Sequence, residues 1–374
     1  MGFIRSKTHA ASPWRQWPGR RGTGQGSGCH TASHQRDSVA QGLSGSWGPG
    51  GGVWRRAVRP LLASALVVVV AGPAPAAPRC AGPALTFEPL APGLWLLRGA
   101  EGAPGPANRG RVANLLIGRD AQGLWLLGSG PSPAIGRALA CQAPQALGAP
   151  LRAVVSPWAR PELVLGVAGL GTVEHWAHAS VAQAMASQCP QCAARLRGQL
   201  GAAGADLGPG AIRLPARRLT GESGSLGPWH WWRLPRDASH WVTVWRWQAA
   251  PLWFAPGLLA EAGVPDGHDA DLATLQASLQ RLQAQAEADG MAARWLGDRG
   301  GPQPADAPAH SAAYWQALLA AATQALLRAD AETDPPPLLP GVSTAWQQQP
   351  GHALNWQRAW REVEPQVLGT APSR

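Results

Sequence analysis

The sequence predicts an α/β layered domain, and three observations predict it. Residues 85–127 are short apolar runs separated by turn-forming residues, residues 229–254 return to alternation around tryptophan, and the C-terminal part carries helical stripes. Strand-rich and helix-rich segments in that order require sheets with helices packed on them, leaving polar loops at one edge.

The elements follow in order. LTFEPLAPGLWLLRGA gives two runs split by Ala91-Pro92-Gly93, a hairpin composition, and RVANLLIGRDAQGLWLLGSG gives two more around Arg119-Asp120-Ala121-Gln122-Gly123. Ile135 and Leu139, four apart among alanines, predict a helix over 133–143. Val154-Val155 is the next strand and 172–178 another; a helix over 179–200 is expected to break near Cys189-Pro190. From Trp241, Val242 and Val244 alternate with Thr243, Trp245 and Trp247, which predicts a strand using both faces. Leu272, Leu275, Leu279 and Leu282 form one helical stripe, with Asp269 or Asp271 near its start. Further helices are predicted over 314–327 and 355–363, separated by Pro/Gly loops.

Charge divides the chain. Of the net +10, residues 1–77 supply +8 and the remaining residues only +2. The folded part therefore lacks the clustered basic surface of a nucleic-acid binder, and no nucleic-acid partner is expected. Residues 1–52 show no periodicity and too few branched aliphatics for a core, consistent with low complexity and a start placed too early. Residues 53–76 have the three-part build of a secretory signal: Arg55, Arg56 and Arg59, the run LLASALVVVVAG, then Ala74-Pro75-Ala76. The run is short for a membrane span, so a periplasmic or secreted protein with one domain over 77–374 is expected. Export makes Cys80, Cys141, Cys189 and Cys192 an expected pair of disulfides, with three connectivities open. Cys189-Pro190-Gln191-Cys192 also has the spacing of a redox pair.

An ordered set of landmarks resembles the metallo-β-lactamase superfamily, and within it the quinoprotein relay system zinc metallohydrolases. Gly93-Leu94-Trp95-Leu96-Leu97, Asn108-Arg109-Gly110 with Ala113-Asn114-Leu115, and Leu126-Leu127-Gly128-Ser129-Gly130-Pro131-Ser132 are similar to its opening strands and first loop. VVSPWARPELVLG (154–166) falls on the ligand loop, Trp253 to Leu259 on a later F-A-G-D-L segment, and Leu296 to Gly300 on a P-G-H-G loop. Trp346, His352, Asn355 and Arg358 to Glu364 resemble the subfamily's ending, a tail spanning 341–366.

The resemblance implies an αββα four-layer sandwich, with zinc between loops at the sheet edge activating water for hydrolysis. It also implies which positions carry the ligands. Trp158, Arg160 and Leu163 stand at the imidazole positions of the loop, Gly257 at the bridging carboxylate and Gly128 at the early aspartate. Glu162, His178 and Asp298 are the family positions that keep a donor atom. Arginine where a dication belongs is repulsive, and pairing of Arg160 with Glu162 or Asp298 is expected to replace the metal bridges. No cofactor is expected, zinc being the alternative should the site be rebuilt.

Three functions stay open: an accessory or binding protein without zinc chemistry, a hydrolase using Glu162, His178 and Asp298, or a thiol-redox protein using Cys189 and Cys192. A periplasmic quinoprotein or cytochrome partner is what the resemblance alone implies. His178 equally suits a hydrogen-bonded strand end, and His175 three residues earlier points to the opposite face of a strand. Trp229, Trp231, Trp232, Trp241, Trp245, Trp247 and Trp253 suit either a core or an aromatic groove.

Overall fold

Alternation along the strands sorts apolar side chains into separate layers. The computed structural model describes residues 80–260, 263–332 and 336–369; the readings of 1–52 and 53–76 concern residues outside these. The first sheet runs β1 (Glu88–Ala91), β2 (Leu94–Leu97), β3 (Leu115–Asp120), β4 (Gly123–Leu127), β5 (Leu151–Ser156), β6 (Glu174–His178) and β7 (Arg217–Leu219), in sequence order. It is antiparallel from β1 to β4 and parallel from β4 to β7. The second sheet has the order β12-β11-β10-β9-β8, with β8 (Ser223–Leu226), β9 (Trp229–Pro235), β10 (Trp241–Trp247), β11 (Leu252–Phe254) and β12 (Arg294–Leu296).

Leu94, Leu96, Leu116, Trp125, Leu127 and Val155 of the first sheet join Trp229, Trp231, Trp245, Trp247 and Phe254 of the second in one buried cluster. Their sequence neighbours Leu115, Ile117, Leu124, Leu126, Val154, Leu234, Val242, Val244 and Trp253 join a second cluster with helical residues. Period-two alternation thus gives each sheet an inner face against its mate and an outer face under helices, the αββα sandwich. Of the seven central tryptophans only Trp232 and Trp241 are half-exposed, so the set is core and the aromatic-groove reading is corrected.

The helices are α1 (Pro133–Leu147), α2 (Pro161–Val164), α3 (Ala179–Leu200), α4 (Leu272–Ala288), α5 (Ala307–Leu327), α6 (Thr344–Gln347) and α7 (Pro350–Gly369). Asp271 caps α4, its side chain accepting from Thr274 N at 2.7 Å. The expected break at Pro190 does not occur: α3 continues through it. Among the described residues, no helix is long and apolar enough to cross a membrane.

The cysteines correct a second expectation. Cys80 and Cys141 form a disulfide closing a span of 61 residues, worth about 4 kcal/mol in the chain-entropy picture. Cys189 and Cys192 are free thiols on one helix, so the second expected disulfide is not formed.

The C-terminal tail holds other elements in place. Asn355, 1% exposed, donates to the Pro265 carbonyl at 2.7 Å and to Tyr314 Oη at 3.1 Å. His352 Nδ1 meets the same phenol at 3.0 Å. Glu362 accepts from Leu272 N at 2.7 Å and Ala273 N at 3.0 Å, satisfying amides of the first turn of α4. His352 thus serves as a hydrogen-bonding partner at the end of the domain.

Candidate metal centre

The loop after β5 keeps its shape through backbone hydrogen bonds. The Pro157 carbonyl accepts from Thr243 N at 2.8 Å and Thr243 Oγ1 at 3.0 Å, tying the loop to β10 of the other sheet. The Leu163 carbonyl accepts from Ser129 N at 2.7 Å and Ser129 Oγ at 3.1 Å, and Gly166 N donates to the Gly130 carbonyl at 2.8 Å. Buried Asn114 holds the opposite wall. Its side-chain amide donates to the carbonyls of Gly297 (3.1 Å) and Gly300 (2.9 Å), and its backbone N–H donates to that of Asp298 (2.7 Å).

Within this frame carbon fills the space between the loop and its neighbours. Gly257 has φ +78°, and a β-carbon there would lie 2.9 Å from Cε3 of Trp158 and 3.0 Å from Cγ1 of Val242. The indole occupies the space that an aspartate would claim. Gly128, at φ +79°, sits under Leu163: a β-carbon there would lie 2.9 Å from its Cδ2 and 2.7 Å from that of Leu115. Trp158 and Leu163 are 8% and 1% exposed and belong to the continuous core. Trp158 and Leu163 therefore each rest on a glycine.

The polar groups at the cleft are few. Trp158, Arg160, Glu162, Leu163, Asp298 and Arg299 line it with Val112 and Ala113, leaving about 10 Å³, room for one water. Arg160 Nε lies 4.0 Å from Glu162 Oε2, the outer limit of an ion pair, so the expected pairing is present but loose. That oxygen has no hydrogen-bond partner. The Asp298 carboxyl is raised above its ordinary pKa by burial, against the attraction of Arg160 and Arg299.

Arg236 is the residue that sequence reasoning missed. It is 1% exposed, and its guanidinium stacks on Trp158 at 4.7 Å while Arg160 stacks on the same ring at 4.6 Å. Its Nη2 donates to the His268 carbonyl at 2.7 Å, and burial lowers its pKa to about 10, still cationic at neutral pH. The loop carrying His268 is the one anchored by Asn355, through Gly267 N and the Pro265 carbonyl. A buried arginine at the end of a strand has no periodic signature, so only the closing of residues 265–271 over β9 reveals it.

His178 does not join the cleft-lining set. It caps α3, with Nδ1 accepting from Ser180 N at 3.2 Å and Nε2 donating to the Gly221 carbonyl at 3.1 Å. Both nitrogens are engaged, and burial lowers its pKa. His175 is more deeply placed, with Nε2 2.9 Å from Ser156 Oγ and a pKa lowered to about 4, burial being the main cause.

The residues present do not fit zinc. The Trp158 and Leu163 side chains offer no metal donor and Arg160 is cationic, while the carboxylates of Glu162 and Asp298 share a water-sized space with two arginines. Among the described residues, no group of three or more His, Cys, Asp or Glu side chains is arranged to hold a metal ion.

No protein-family model matches the chain, and no curated protein matches it. Solved structures similar to it are metallo-β-lactamases. One from Pontibacter korlensis is 14% identical with a TM-score of 0.48, covering 62% of this chain and 99% of its own. The mono-zinc form of FIM-1 from Pseudomonas aeruginosa is 18% identical with a TM-score of 0.49, covering 62% and 95%. One from Hirschia baltica is 16% identical with a TM-score of 0.48, covering 62% and 97%.

Proposed function

We propose that this chain is an exported binding or accessory protein on a metallo-β-lactamase-like scaffold, without zinc-dependent hydrolysis. The observation that carries the reading is the paired packing of Trp158 on Gly257 and Leu163 on Gly128. These contacts fill with carbon the positions that the resemblance gives to metal-holding side chains. A cleft of about 10 Å³ admits neither, since small-molecule sites measure on the order of hundreds of Å³. The partner proposed is a periplasmic quinoprotein or cytochrome, on the resemblance of the 341–366 tail alone.

The competing hydrolase would need Glu162, His178 and Asp298 to act together. His178 spends both nitrogens on Ser180 and Gly221, which weighs against it. The test is a hydrolysis screen of the mature chain on lactam and ester substrates with zinc supplied, alongside Glu162→Gln and Asp298→Asn. The scaffold reading expects no turnover above the uncatalysed rate in any of the three. Turnover in the parent chain that either substitution abolishes would overturn it.

A further inference from the structure

We propose that Cys189 and Cys192 form a reversible redox site, in which Cys192 is attacked first by exchange with a small-molecule disulfide and Cys189 closes an intrahelical disulfide. This goes beyond the scaffold reading and does not depend on it.

Three independent features point to it. The first is spacing. The two thiols sit at i and i+3 of α3, which puts their β-carbons about 5–6 Å apart, whereas a disulfide needs about 3.5–4.5 Å. An adjustment of one helical turn closes the gap.

The second is the residue between them. Pro190 has no N–H, so the Ala186 carbonyl, three residues before Cys189, loses its helical donor. A mid-helix proline removes one hydrogen bond of the ladder and is disfavoured there. Pro190 and Gln191 are both exposed, so core packing does not explain the placement. The turn beside the dithiol therefore lacks one hydrogen bond of the helical ladder, which eases ring closure.

The third is asymmetry. Cys189 is fully buried, with 0% exposure, while Cys192 is half-buried with Arg195 Nη2 4.0 Å from its sulfur. An external disulfide can therefore reach Cys192 and not Cys189. Arg160 and Glu162 of the cleft are among the charges felt at Cys192, and α2 of that loop packs on α3.

The chemistry balances with a disulfide RSSR such as oxidised glutathione. Cys192 loses its proton and attacks one sulfur, forming a mixed disulfide and releasing RS⁻, which takes up that proton. Cys189 then loses its proton and attacks the Cys192 sulfur, releasing the second thiol. Two protein thiols are oxidised, and one RSSR is reduced to two RSH. Burial raises the pKa of Cys189 to about 12 and that of Cys192 in the same direction, so exchange is slow at neutral pH and quickens as pH rises.

The test equilibrates the full mature chain in glutathione buffers of graded ratio, quenches with acid, alkylates, and maps the products by peptide mass spectrometry. The expected results are an internal Cys189–Cys192 disulfide in the parent, a glutathione adduct on Cys192 in Cys189→Ala, and an adduct on Cys189 in Cys192→Ala that forms at least about tenfold more slowly. Pro190→Ala should need a more oxidising buffer for half-conversion. The Cys80–Cys141 disulfide and the circular dichroism spectrum report that each variant is folded. A parent that stays a dithiol at the most oxidising ratio, or carries a persistent adduct without closing the ring, overturns the proposal. Equal adduct rates at the two cysteines overturn the assignment of Cys192 as the entry point.

Discussion

The cleft at the end of β5 and the tail on α7 are built in opposite ways. In the tail, His352, Asn355 and Glu362 each meet a named partner: a phenol, a carbonyl, two helix-end amides. In the cleft, Trp158 and Leu163 fill space, and Glu162 Oε2 has no hydrogen-bond partner. The difference teaches what each motif does for the fold. The tail's polar groups hold backbone together, so the architecture depends on them. The loop after β5 is fixed by the Pro157, Leu163 and Gly166 backbone bonds, so its side chains are free to join the core.

That contrast can be broken first at the glycines. Gly257→Asp puts a β-carbon 2.9 Å from the Trp158 ring at φ +78° and buries a carboxylate. The expected loss is about 4 kcal/mol or more, read by chemical denaturation, because overpacking, backbone strain and an unpaired charge coincide. Leu163→Ala comes next. It empties the space over Gly128, and a loss of about 2–5 kcal/mol is expected in the same measurement.

His175 supplies a pH test of the sheet beside the cleft. Its folded-state pKa of about 4 lies below the unfolded value near 6.5, so the unfolded chain binds the proton more readily. Stability from this group is complete above pH 6.5 and falls as pH drops toward 4, by up to about 3 kcal/mol. Denaturation midpoints across that window should flatten in His175→Gln. The smallest effect belongs to the tail. Glu362→Gln keeps one acceptor oxygen for the α4 amides and should cost about 1 kcal/mol, with Glu362→Ala costing more.

Much of the sandwich was legible because alternation and helical stripes are local signals. Trp95 and Leu96, or Val244 and Trp245, declare their opposite faces in two adjacent letters. Strands of three or four residues, β7, β8 and β12, are too short to show a period. Pro190 misled because its exposed position lets a carbonyl turn to water while packing carries α3 onward. Trp158 and Leu163 were visible as letters, but their packing on Gly257 and Gly128, 99 and 35 residues away, was not. Arg236 was invisible for the same reason: its burial belongs to a loop that Asn355 closes from the far end of the chain.

Zinc content of the mature chain, prepared in an oxidising compartment with zinc supplied and then dialysed, tests the filled cleft most directly. The account predicts a folded, monodisperse protein retaining well under one equivalent. One or two equivalents retained, and lost in Glu162→Gln or Asp298→Asn, would contradict it.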